Sequence, residues 1–445
     1  MQLEPYRLTA SETLEKVRAG ELTVERYTQS LLDRIKDRDD AVQAWAYLDP
    51  DLVLSRARDL DRIPPESRGP LHGVAIGVKD IFYTKDMPTQ HNSPIYADDA
   101  PAVDSGPVAI LRQAGALIVG KTTTTEFAAT VAGTKTRNPH DPDRTPGGSS
   151  SGSGAAVGDM QAALALGTQT GGSTIRPGSF NGIYAYKPTW NAVSREGQKI
   201  YSLILDTLGI YARCVADLQL LADVLGIRDD SDPESRSAFS GGVEGAKFAV
   251  LRTVVWPQAG PGTQAAMQKA ADLLRAHGAA AVDEISLPPD LDALPEWHRV
   301  VITSDGRSAF RPEYAAARDQ LSPYLVDQVE NAAAITRRQQ LAAFDAIAAA
   351  RPRVDEILAR YDAVLVPSVP DEAPSGLEST GSAAFNVIWT ALHTPVVNIP
   401  GFMGANGMPI GLSLVAPRYQ DRRLLSVCEA VGRIFEAEGG WKSAL

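Results

Sequence analysis

The sequence predicts an α/β protein, and three observations carry that expectation. Short apolar runs with strand character recur at 74–78, 116–119, 248–255 and 363–366, with helical spacing between them. The stretch from Gly147 to Ser173, GGSSSGSGAAVGDMQAALALGTQTGGS, sets a small-residue helix and an apolar strand between two Gly/Ser turns. Hydrophobic residues make up 44% of 445 residues, enough for a large buried core. No internal repeat is visible, so solenoids and propellers are excluded.

Taken in order, residues 7–62 read as helical. Ser11 is placed to cap one helix with Glu15 in its first turn, and Thr23 to cap a second with Glu25 behind it. Leu31, Leu32 and Ile35 share a face of that second helix, and Pro64-Pro65 ends the region. Val74, Ile76 and Val78 then alternate as a strand that ends at Lys79. A helix over 108–114 and a strand over 116–119 follow, leading into Gly120-Lys121-Thr122 and a run of threonines to Thr125. Asn138 to Pro146 is a polar, proline-rich loop before the central stretch.

Beyond Ser173, Val215, Leu218, Leu221 and Leu225 mark a helix, and 228–243 is charged and glycine-rich, a surface loop. A strand over 248–255 and a helix over 264–276 come next. The segment 290–360 holds Trp297 and Phe310 and an Ala-rich helix from Arg337. A strand over 363–366 and a closing helix from Arg422 complete the chain.

Composition excludes several function classes. The net charge is −11 and no Lys/Arg stripe is present, so nucleic acid and anionic membrane surfaces are poor partners. Cys214 and Cys428 are the two cysteines, far apart, which excludes a disulfide framework or cysteine-built zinc site and suits a reducing cytoplasm. No signal peptide and no run of about 20 apolar residues is read. Gly115 to Thr122 matches the P-loop pattern, but its centre is Ala-Leu-Ile-Val, an apolar strand where a phosphate-cradling loop is required. No G-x-S-x-G or H-E-x-x-H occurs, and the six histidines are scattered.

The remaining chemistry lies in the two turns. Successive amides in such turns form a concavity for negative charge, and a serine set there is a candidate nucleophile. The base available to it is lysine, which works only when neutral, with its pKa lowered by desolvation or a nearby positive charge.

Lys79 in G-V-K-D, Ser149 in G-G-S-S-S-G and Ser173 in G-T-Q-T-G-G-S resemble the three signatures of the amidase signature family, with Ser173 lying 24 residues after Ser149 as in that family. The N-terminal helices, 115–127, the S-F-N-G-I-Y-A-Y-K-P-T segment, 206–224 and 395–415 also resemble it. The resemblance implies one α/β domain over 1–445, a large mixed sheet covered by helices on both faces. Its N-terminal helices occupy 7–62, its catalytic core 70–225, a variable substrate or lid region 228–360, and the C-terminal part of the core 361–445.

The resemblance also implies roles. Ser173 is the nucleophile, Ser149 relays its proton to Lys79, and the amides of Thr170, Gly171, Gly172 and Ser173 form the oxyanion hole. Gly148–Ser149 is expected to be cis. The activity implied is hydrolysis of a small-molecule amide, or an anilide, ester or carbamate, through an acyl-enzyme, by a cytoplasmic monomer or homodimer without metal or cofactor. Phe127, Tyr184, Trp297, Phe310 and Trp389 are candidate pocket walls.

Two departures from the family pattern stand out. Gln169 replaces the usual Asp, and Ile175 replaces the usual Arg, with Arg176 one place later. Three alternatives remain: the glutaminase subunit of a tRNA-dependent amidotransferase, a nucleotide binder through Lys121, and a silent binding protein on the same fold.

Overall fold

The computed structural model describes residues 4–229, 239 and 242–445, so most of the surface loop expected over 228–243 lies outside the described residues. Among the described residues, eleven strands form one sheet: β1 (Trp45–Leu48), β2 (Ala75–Lys79), β3 (Leu117–Thr122), β4 (Leu164–Gln169), β5 (Tyr184–Lys187), β6 (Thr207–Ala212), β7 (Lys247–Leu251), β8 (Ala281–Ile285), β9 (Ala363–Pro367), β10 (Val396–Met403) and β11 (Pro409–Val415). Their order is β1-β3-β2-β4-β6-β5-β10-β11-β9-β7-β8. β3, β2 and β4 run parallel, β4 through β9 pair antiparallel, and β9, β7 and β8 are parallel again.

Alternation along the strands divides the core into two layers. Leu164, Leu166, Ile210, Leu365 and Leu412 face one layer, with Leu218 and Leu221, Met267 and Leu274, and Leu424 and Val431 from three covering helices. Ala165, Tyr211, Val364 and Val366 face the other, under Val301 of the helix Leu294–Ala309 and Ile347 and Val354 of the helix Arg337–Leu358. The mixed sheet with helices on both faces is therefore the arrangement the family resemblance implies.

Some local expectations change. The first helix is capped by Thr9, whose side chain and Glu12 form a reciprocal capping box, while Ser11 lies inside it. Thr23 caps the second helix as expected, accepting from Arg26 N. The region 7–62 also contains β1, which pairs with β3. That strand has only four residues, too few for periodicity to register. Among the described residues, no helix is long and apolar enough to cross a membrane.

Candidate active site

The parallel strands β2 and β4 end side by side, and the region beyond the carboxyl ends of such strands is where α/β sheets present chemistry. Lys79 closes β2 with its side chain fully buried. Its Nζ donates to Ser149 Oγ at 2.8 Å and to Thr168 Oγ1 of β4 at 2.6 Å. Burial pushes the amine well below the usual 10.5 of lysine; the Asp206 carboxylate opposes this, and the Arg176 guanidinium adds to it. A neutral amine keeps a lone pair, so the Ser149 contact can reverse, with Ser149 donating to Nζ while Nζ still donates to Thr168.

Ser149 sits in the first Gly/Ser turn after a cis Gly148–Ser149 peptide. Gly147 has φ 83°, a left-handed conformation that favours glycine. The helix Ser151–Gly158 follows, with all eight residues buried. A Cβ at Gly152 would lie 2.1 Å from the Ala44 carbonyl oxygen, so only glycine lets this helix press against the neighbouring backbone.

Ser173 is half-buried in the turn between β4 and the helix Ile175–Phe180. The carbonyls of this turn are all held. Thr170 O accepts from His298 Nε2 at 2.8 Å, Gly171 O from Thr390 Oγ1 at 2.7 Å, Gly172 O from Arg176 N at 3.0 Å, and Ser173 O from the Tyr211 hydroxyl at 3.1 Å. The amides of Gly171, Gly172 and Ser173 have no partner among the described residues. The turn thus offers a row of free donors, a geometry suited to a developing oxyanion.

The two departures from the family pattern have a shared physical account. Gln169 Oε1 accepts from the amides of Thr174 and Ile175 at 2.9 and 3.0 Å, and its Nε2 donates to Thr390 Oγ1 at 3.1 Å. A carboxylate could accept from those amides but could not donate to Thr390. Ile175 is fully buried in the second core layer, where an arginine without a carboxylate partner has no place. The positive charge appears instead at Arg176, also buried. It donates to Gly148 O at 2.5 Å, Gly381 O at 2.6 Å and Thr380 Oγ1 at 3.1 Å.

Asp206 braces the other side of the turn. Thr170 Oγ1 donates to it at 2.6 Å, and the Tyr201 amide at 2.7 Å. Burial pushes its pKa up to about 6, with the Thr170 hydroxyl and the Tyr201 and Ser202 amides pulling the other way.

The candidate pocket residues separate. Phe127 and Phe310 are fully buried, with ring centroids 5.8 Å apart, in a satellite core with Tyr201, Leu321 and Leu325. Tyr184 packs in the first core layer and its hydroxyl donates to Glu436. Trp297 and Trp389 belong to the second layer and each immediately precedes a residue that grips the Ser173 turn, His298 and Thr390. Lys121, central to the P-loop match, lies within β3; it is fully buried, ion-paired to Asp80 at 3.1 Å and bonded to Thr89 Oγ1 at 2.6 Å. The roles of Thr168, His298 and Thr390 are not marked in the sequence. His298 and Thr390 are lone polar residues that no motif includes, and Thr168 stands inside G-T-Q-T-G-G-S with nothing local to show that it faces Lys79.

Comparison with known proteins extends this picture. The sequence profile of the family described as Amidase matches residues 26–425. The chain is 32% identical over 474 residues to the glutamyl-tRNA(Gln) amidotransferase A-subunit of Salinispora tropica, covering 95% of this chain and 96% of that protein. Among solved structures it resembles an amidase with a TM-score of 0.85 at 29% identity, covering 97% of this chain and 100% of that one. It also resembles the native peptide amidase of Stenotrophomonas maltophilia with a TM-score of 0.81 at 27% identity, covering 97% and 98%.

Proposed function

The chain belongs to the amidase signature family, whose members act on C–N bonds, and from that footing we propose that Ser173, Ser149 and Lys79 cleave an acyl C–N bond through an acyl-enzyme. The observation that carries the proposal is the 2.8 Å contact between a fully buried lysine amine and the Ser149 hydroxyl. Ser173 Oγ adds to the substrate carbonyl carbon while its proton passes through Ser149 to neutral Lys79. The carbonyl oxygen takes up negative charge beside the amides of Thr170, Gly171, Gly172 and Ser173. The proton returns through Ser149 to the nitrogen, the C–N bond breaks, and ammonia or an amine leaves. Water, deprotonated through the same pair, then cleaves the acyl ester, releasing a carboxylic acid and restoring Ser173.

For the substrate, full-length similarity to the amidotransferase protein favours the side-chain amide of glutamine, with the ammonia passed to a partner chain. Likeness to an amidase and a peptide amidase favours a second reading, free-standing hydrolysis of neutral, partly apolar amides, anilides, esters or carbamates. Assaying the purified chain, alone and with amidotransferase partner chains added, against glutamine and against a panel of those compounds separates the two. Panel turnover without glutaminase activity selects the second; glutaminase activity that needs amidotransferase partner chains selects the first. On either reading Ser173→Ala lowers turnover by about 10⁴- to 10⁶-fold, and a fluorophosphonate adduct maps to Ser173. Retained turnover, or an adduct on another serine, defeats the mechanism.

A further inference from the structure

Among the described residues of the variable segment, one polar side chain reaches the Ser173 turn. His298, on the helix Leu294–Ala309, is 4% exposed and places Nε2 2.8 Å from the Thr170 carbonyl oxygen. A carbonyl oxygen only accepts, so Nε2 carries the hydrogen. Burial holds the ring neutral, its pKa pushed down to about 4. A trans peptide is planar, with C=O and N–H directed oppositely. The bond that fixes the Thr170 carbonyl therefore also fixes the direction of the Gly171 N–H. Thr390 Oγ1 sets the next peptide plane in the same way, and Arg176 N the one after. His298 Cε1 would lie 3.9 Å from a Cβ at Gly171, so the ring itself borders the turn.

We propose that His298 is a positioning residue, which aims the Gly171 amide at the oxygen that gains charge when Ser173 attacks. This rests on the reading of Ser173 as the nucleophile. A hydrogen bond weakens steeply as its angle closes, and outright loss of an oxyanion donor lowers turnover by about 10²- to 10³-fold. Releasing the clamp leaves the Gly171 donor present but loosely aimed. A smaller loss, roughly tenfold or more, is expected on the same grounds.

Labelling by a fluorophosphonate tests this without a known substrate. Ser173 Oγ forms a bond to phosphorus, the P–F bond breaks, fluoride leaves, the hydroxyl proton passes to the base, and the phosphonyl oxygen gains charge in the transition state. The variants are His298→Gln, which keeps an N–H donor, and His298→Met, of similar length but without one, with His298→Leu as a second donor-free form. The expected result is a maximal labelling rate about tenfold lower or more in the donor-free variants. Their half-saturating concentration should match that of His298→Gln, which should stay near the unsubstituted rate, and labelling is run well below their thermal midpoint, which falls because the buried Thr170 carbonyl loses its donor. Equal rates for Met, Leu and the unsubstituted protein overturn the role of His298 alone, as does a Gln variant as slow as Met. Absence of a Ser173 adduct in the unsubstituted protein overturns the underlying mechanism instead.

Discussion

The Arg176 guanidinium reaches the carbonyl oxygen of Gly148 at 2.5 Å, tying the helix that follows Ser173 to the residue that precedes Ser149. The two serine-bearing turns are thereby joined by one buried cation, whose charge also disfavours protonation of Lys79.

Removing that cation has a signed consequence. In Arg176→Gln, Lys79 loses a repelling charge and its pKa rises, so the acid limb of the rate profile moves to higher pH. The buried carbonyl of Gly148 also loses a donor, at a cost of about 1–3 kcal/mol, and the half-buried Gly381 carbonyl loses one at smaller cost. Fluorophosphonate labelling of Ser173 as a function of pH, with urea denaturation in parallel, measures both. An unmoved acid limb shows that the charge at 176 does not govern Lys79.

Lys79 itself links activity and stability to pH in the same direction. Its folded pKa lies well below the usual 10.5, so between the two values the unfolded chain binds a proton that the folded chain does not. Stability from this residue therefore falls as pH drops across that window, and levels off below the folded pKa, where both states hold the proton. Activity falls at the lower end of the window, because the protonated amine cannot accept from Ser149. Lys79→Met is expected to abolish labelling and to flatten this part of the stability profile, as read from urea midpoints at several pH values.

Gln169→Ala should loosen the Ser173 turn. The buried amides of Thr174 and Ile175 lose their acceptor, and Thr390 loses a donor to its hydroxyl oxygen. A loss of about 1–3 kcal/mol is expected, together with slower labelling of Ser173. Equilibrium urea unfolding and labelling kinetics check the two parts separately.

Phe310→Ala removes a fully buried ring that packs on Phe127 and on Tyr201, 5.1 Å between centroids in the second pair. A destabilisation of about 3–5 kcal/mol is expected from lost burial and a residual cavity. A thermal midpoint close to that of the unsubstituted protein would show that Phe310 faces an open pocket able to collapse.

Much of the fold is legible in local pattern. Val74, Ile76 and Val78 announce β2 and place Lys79 at its end, and the small residues after Ser150 announce the buried helix and β4. β1 escapes notice because it is short, and Thr9 and Ser11 compete for one cap because both residue types suit it. In the site, the two serines and the lysine stand in recognisable motifs. His298, Thr390 and Tyr211 do not, since each acts through a hydrogen bond to a backbone atom far away in sequence.

Periodicity and turn chemistry predict an α/β fold, and three short motifs resembling the family signatures single out Lys79, Ser149 and Ser173 as candidates, because strand alternation and Gly/Ser turns are local properties of neighbouring residues. Folding supplied the rest. It buried the amine of Lys79 against Ser149, gripped each carbonyl of the Ser173 turn from a different part of the chain, and moved the second cation to the Gly148 carbonyl. Desolvation and donor direction depend on what surrounds an atom in space, and chain segments more than a hundred residues apart supply those surroundings here, as between His298 and Thr170.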